Sequence, residues 1–224
     1  MKFECLYCKK IFSREDSLKV HLCEPRRRHS EKSERGVQLG FQAFLKFFEI
    51  AHGSSKLKTW DDFVVSPYYR AFVKWGRYCI NVKAVAPENF LNWLLQNNKK
   101  IDHWCRDSIY DEYLLYYLLT ESVEHALERG IRHSVEWEEK HGHPSKDYLR
   151  YAPSNLICHS ISNGKISPWI VYNCDSGQQF LSRLSNDQVS QIWKWINSDL
   201  WSKRFEKLPS DKLYAEKILC EAGW

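Results

Sequence analysis

Cys5, Cys8 and His21 stand at C-x2-C-x12-H spacing near the start of this chain. Thiolate and imidazole donors so spaced suit a tetrahedral zinc ion, which takes four N or S ligands at a structural site. Two residues compete for the fourth position. His29 requires the chain to loop back after Pro25. Cys23 requires the helix bearing His21 to open, because residues two apart on a regular helix face nearly opposite sides. A helix stop before Pro25 allows that opening, and the expectation leans to Cys23. One structural zinc per chain is expected, since no nearby acid is placed as a general base and so small a unit has no cleft.

Short elements must hold those ligands. The Cys pair belongs on the turn of a two-stranded hairpin. Ser13 and Asp16 read as an S-x-x-D capping box starting a helix that carries His21 two turns along. Phe12 and Leu18 would close a miniature core. With these offsets, residues 3–29 resemble the C2H2 zinc-finger family or a C2HC variant of it. The departure is at 25–27, Pro-Arg-Arg, where the family pattern allows its second His. The resemblance implies a ββα unit, with Arg14 just before the helix, Asp16 at its second position, Ser17 at its third and Val20 at its sixth. An Arg–Asp pair so placed implies an arginine braced against guanine. The other reading keeps Asp16 as the capping acid and Arg14 as a solvated side chain.

The formal net charge is +5, and residues 1–35 hold +4 of it, with ten Lys/Arg against six Asp/Glu. Any attraction for phosphates is therefore concentrated at this end. A single finger covers only about three base pairs, so limited sequence specificity for DNA or RNA is expected. Lys9, Lys10, Lys19, Arg26, Arg27, Arg28 and Lys32 are the candidate phosphate contacts. A solvated basic linker is the competing reading of 25–28.

The expected organisation is a zinc finger over 1–24, a charged linker over 25–36 and a helical domain over 37–224, so the fold class is a mostly all-α body behind a small finger. Residues 37–53 carry an apolar helical stripe with Gly53 as its stop. Further starts are read at Thr59 with Asp62, at Ser66-Pro67, at Pro87, at Ser167-Pro168, at Ser185 with Gln188 and at Ser210. Residues 101–119 and 121–141 each read as one helix, with Gly130 a weak point of the second. Segments 77–85 and 166–173 carry some strand character, but their flanking helices favour an all-α body. On 68–78, Arg70, Lys74 and Arg77 fall at three- and four-residue spacing among Tyr and Trp. That face suits nucleic acid, or is simply the basic solvent side of a core helix.

Ten Trp, twelve Tyr and eleven Phe predict a ring-rich core with some rings left for a partner surface. The remaining five of the eight cysteines are expected mostly as small buried side chains. With no apolar leader after Met1 and no run of eighteen apolar residues, a reducing intracellular setting without a membrane is expected. Phosphate-loop, dinucleotide, zinc-protease and serine-hydrolase motifs are absent from the sequence. No catalytic residue is proposed. His125, His133, His141 and His143, the acids Asp102, Asp107, Asp111 and Glu112, and Cys174-Asp175-Ser176 read better as packing, caps and loops. The leading expectation is a non-enzymatic nucleic-acid-associated accessory protein whose residues 37–224 dock a protein partner. Behind it stand an adaptor with a purely structural finger, and then a nucleic-acid-processing enzyme.

Overall fold

A computed structural model describes residues 2–52 and 58–224, without the side chains of residues 51 and 52. Gly53, expected to stop the first body helix, lies outside the described residues. Among the described residues the chain is mostly helical with one two-stranded sheet, and it divides into two compact units, Met1–Asp107 and Ser108–Trp224. Among the described residues no helix is long and apolar enough to cross a membrane.

The first unit opens with β1 (Phe3–Glu4) and β2 (Ile11–Phe12), paired antiparallel with Phe3 opposite Phe12. There follow, among the described residues, α1 (Glu15–Lys19), α2 (Glu24–Ser30), α3 (Arg35–His52), α4 (Trp60–Val65), α5 (Tyr69–Asn81) and α6 (Pro87–Gln96). The N-cap of α1 is Arg14, without a side-chain cap bond, so the capping box expected of Ser13 and Asp16 does not start it. At α4 the expected box is complete. The Asp62 amide donates to Thr59 Oγ1 at 3.3 Å and the Thr59 amide to Asp62 Oδ2 at 2.8 Å. Much of the stretch 25–36 is helical. Pro25 lies in the first turn of α2, where its missing N–H costs nothing, and Arg27 and Arg28 reach back one turn to Glu24.

Behind α2 lies an aromatic core in which Phe44, Phe63, Phe72, Trp75 and Trp104 are fully buried. Phe44 meets Phe72 edge-on at 5.7 Å, and Trp75 meets Trp104 at 6.1 Å. Trp104 also separates a 3-10 turn at Ile101–His103 from the helix expected over 101–119, of which residues 107–119 are helical. Its Nε1 donates to the Lys99 carbonyl at 2.8 Å, and the next helix starts only at Asp107.

Helices α3 and α5 cross at backbone contact. A Cβ on Gly76 would lie 2.0 Å from the Gly36 oxygen, and one on Gly40 would lie 2.7 Å from the Phe72 oxygen. Gly76→Ala is therefore expected to force the pair apart and cost about 1–3 kcal/mol as overpacking against backbone that cannot rotate away. Urea unfolding checks this, and an unchanged midpoint would show that the crossing relaxes freely.

The second unit is built from α7 (Asp107–Thr120, starting at the unit boundary), α8 (Val123–His141), α9 (Tyr148–Tyr151), α10 (Ser154–Ser162), α11 (Pro168–Tyr172), α12 (Asp175–Ser182), α13 (Asn186–Ile196), α14 (Ser198–Lys207) and α15 (Pro209–Glu221). Segments 77–85 and 166–173 contain no strand; α5 and α11 occupy much of them. Ser122 caps α8, and left-handed Gly142 (φ 71°) ends it. Gly130 is a packing position rather than a weak point, since a Cβ there would meet Ile170 Cδ1 at 2.0 Å. Trp169 and Trp201 are buried beside each other, 6.0 Å apart.

Candidate metal centre

The chain around the four ligands explains which residues meet. Between β1 and β2 a tight turn sets the first Cys pair, closed by the Cys5 amide on the Lys10 carbonyl at 2.9 Å and the Lys9 amide on the Cys5 carbonyl at 2.9 Å. α1 ends at Lys19, short of the two turns the sequence suggests. The His21 amide then bonds the Leu18 carbonyl at 3.1 Å, and Cys23 is extended (φ −111°, ψ 156°) as the N-cap of α2. His21 and Cys23 are thus off any regular helix, which removes the objection to a His-x-Cys pair.

Donor atoms of Cys5, Cys8, His21 and Cys23 all lie within 4.8 Å of one another. Cys5 Sγ stands 3.9 Å from Cys23 Sγ, and Cys8 Sγ 3.2 Å from His21 Nε2. A tetrahedral zinc with bonds of ~2.3 Å to sulfur and ~2.0 Å to nitrogen needs donor edges of about 3.5–3.8 Å, so the four fit one ion with small adjustments. The ring of Phe12 rests on that of His21 at 4.7 Å and orients it. The Cys8 backbone N–H holds the Cys5 thiol below its ordinary pKa, while burial pushes that of Cys23 up. These four residues are placed to hold one metal ion.

His29, the rival for the fourth position, is engaged elsewhere. Trp60 Nε1 donates to its Nδ1 at 3.2 Å, and its Nε2 lies 3.6 Å from Asp61. It ties α2 to α4 rather than joining the cluster.

Arg14, Asp16, Ser17, Lys19, Arg26 and Arg27 are all exposed. The helical register that the family resemblance implies for base reading is not continued, because Val20 is already the cap of α1. Lys19 pairs with Glu15 at 3.0 Å and with Asp16 at 3.5 Å. Arg26 Nη1 donates to the His21 carbonyl at 2.9 Å while its side chain stays exposed, whereas Arg28 is drawn inward. Its Nη1 donates to the carbonyls of Val64 at 2.5 Å and Ser66 at 3.5 Å, and its guanidinium lies 4.4 Å over the Tyr69 ring. It caps the C-terminal end of α4 and docks α2, a structural task rather than a solvent-facing phosphate contact.

Arg70, Lys74 and Arg77 are exposed on α5. Arg70 stands 3.7 Å from Glu24. Arg77 donates to both oxygens of Glu34 at 2.8 and 2.6 Å, and its hydrogen bonds hold that carboxyl below the usual range. The acids Glu24, Glu31 and Glu34 were not read from the sequence as parts of this surface. Their only local signal is the i, i+3 and i, i+4 spacing of Glu24 to Arg27 and Arg28.

Other residues singled out by type serve packing. His133 Nε2 and the Tyr148 hydroxyl meet the buried Ser160 Oγ at 2.9 and 2.8 Å. His141 and His143 flank Trp137. Asp107 accepts from the Tyr78 hydroxyl at 3.0 Å, and Asp111 pairs with Lys194 at 3.2 Å. Cys174 bonds the Ile170 carbonyl at 3.2 Å. Cys79 and Cys158 are buried, Cys105 and Cys174 partly so, and Cys220 is exposed, so fewer of the five are fully buried than expected.

No protein-family model, no curated protein and no solved structure matches this chain.

Proposed function

We propose that this chain is a non-enzymatic, nucleic-acid-associated accessory protein. A structural zinc ion on Cys5, Cys8, His21 and Cys23 staples a basic module that engages DNA or RNA backbone with little sequence preference, and residues 37–224 dock a protein partner. The observation that carries this reading is the disposition of charge. Of the ten Lys and Arg within residues 2–35, all but Arg28 are exposed. Four protein ligands leave a tetrahedral ion no open position, which favours a structural metal over a catalytic one. Exposed cations in excess attract phosphate, and each contact adds salt-dependent affinity.

Arg26→Gln with Arg27→Gln is expected to weaken oligonucleotide binding alike on unrelated sequences. It should flatten the slope of log affinity against log salt by about two contacts' worth, near 0.9 per contact on duplex DNA. Arg28 stays unchanged in this test because it holds α2 to α4. Fluorescence anisotropy over a salt series reads the slope, and wild-type protein that binds no nucleic acid at moderate salt would overturn the proposal.

A protein–protein adaptor is the second reading. It is favoured by the apolar residues Leu6, Val20 and Leu22, which are 80%, 79% and 85% exposed on the same module.

A further inference from the structure

Helices α2 and α5 flank a groove of about 490 Å³ whose lining includes Glu24, Arg27 and Glu31 from α2 and Arg70, Lys74 and Arg77 from α5. In the sequence these two groups belong to separate stretches, a linker and a body helix. The fold brings them to one surface.

The charges in this groove are unevenly matched. At one end Arg77 is satisfied by Glu34, with Glu31 3.5 Å away. At the other end a single carboxylate oxygen, Glu24 Oε1, faces three guanidiniums: Arg27 at 2.8 Å, Arg28 at 3.3 Å and Arg70 at 3.7 Å. Lys74 adds a fourth cation one helical turn from Arg70, about 6 Å along the axis. Three like charges converging on one anion repel one another, and a second anion placed between Arg27, Arg70 and Lys74 would relieve that repulsion. Beneath them Tyr69 and Val73 are buried and form an apolar floor, which strengthens attraction at the groove relative to open solvent. The exposed heads of Arg27, Arg70 and Lys74 leave the mouth accessible to a polymer.

We propose that this groove binds the phosphates of a nucleic-acid backbone, and that the metal site sets one of its walls. The proposal rests on the nucleic-acid reading above and adds the place where the backbone lies. The link to the metal is covalent and short. Cys23 is both a ligand and the N-cap of α2, so the metal cluster adjoins Glu24 and lies one turn from Arg27. A helix of seven residues does not hold itself in water. Its position depends on the metal at one end and on Arg28 and His29 against α4 on its side.

The test uses full-length, metal-loaded protein and a short labelled single-stranded DNA of mixed sequence, with its RNA counterpart in parallel. Arg70→Gln with Lys74→Gln removes two cations from exposed positions. Lys203→Gln with Lys217→Gln removes the same charge from exposed positions of the second unit. The groove variant is expected to bind about tenfold more weakly than wild type. Its salt slope should fall by roughly 1.4, two single-strand contacts at about 0.7 each. The control should stay near wild type. Equal, small losses in both variants would overturn the groove while leaving the nucleic-acid reading intact, and wild-type protein that binds neither probe would remove both. Cys23→Ser is expected to lower metal content and binding together. A metal-free variant that binds with wild-type affinity would overturn the link between metal and wall.

Discussion

Cys23→Ser is expected to strip the metal from the N-terminal module and to unfold residues 3–30 while the helices behind them stay folded. The module has almost nothing else to hold it. Among residues 2–23 only Cys5 is buried, the strands are two residues long and α1 has five residues. Phe12 and Leu18 are only half-buried, so the miniature core is a partial one. In a unit of this kind the free energy of metal binding is the free energy of folding, on the order of 10–16 kcal/mol in zinc-finger peptides. A serine hydroxyl in place of the thiolate removes a quarter of the ligand set. Behind the module, Phe44, Phe63, Phe72, Trp75 and Trp104 keep a core that owes nothing to the metal. Metal analysis should fall from about one ion per chain to near zero under mild chelation. Hydrogen exchange should accelerate over 3–30 and remain slow in α3 and α5. His29→Ala is the informative comparison, since it breaks the contact with Trp60 but leaves all four donors in place. The opposite ranking, with metal lost from His29→Ala and kept by Cys23→Ser, would refute the C2HC assignment.

Several local signals in the sequence mark helix starts correctly, though Ser13 with Asp16, Ser66-Pro67 and Ser210 do not cap the helices expected to open there. The capping boxes at Thr59 and Ser185 form with both halves in place, and Pro87 and Pro168 open helices. Three metal ligands were legible for the same reason, because the spacing of a short unit limits what can meet. The lean to Cys23 over His29 rested on the helix stop that Pro25 implies, and α1 ends earlier still, at Lys19. Non-local relations were hidden. Arg28 reads as one of three equivalent arginines until the C-terminal end of α4 is brought beside it, 36 residues away. Arg77 finds Glu34 across 43 residues. The crossing of α3 and α5 was missed for a different reason. Apolar periodicity registers side chains that pack, whereas Gly36, Gly40 and Gly76 act through the absence of one.

Glu121→Gln is expected to destabilise the second unit by about 3–5 kcal/mol, the usual result of breaking one side of a buried ion pair. Glu121 is 6% exposed and lies between the end of α7 and the start of α8. Arg129 binds both of its oxygens, with Nη2 on Oε1 at 2.8 Å and Nη1 on Oε2. The Ser167 hydroxyl donates to Oε1 at 3.0 Å, and Arg204 donates to the Glu121 backbone carbonyl at 2.9 Å. Arg129 in turn donates through Nε to the Gly164 carbonyl at 2.6 Å. The carboxylate thus joins α8 and the loop before α11, and the backbone carbonyl of the same residue holds α14. A glutamine keeps the shape and one acceptor, yet it leaves the Arg129 guanidinium largely buried with no counter-charge. That residual charge, more than the lost hydrogen bonds, sets the size of the effect. Removing both charges separates the two contributions. Glu121→Leu with Arg129→Met should recover most of the loss and fall about 1–2 kcal/mol short of wild type, because Ser167 and the Gly164 carbonyl lose their partners. Guanidinium unfolding of the wild type, both single variants and the pair measures the coupling. Additive losses would show that the two charges are solvated independently and that the pair does not hold the unit together.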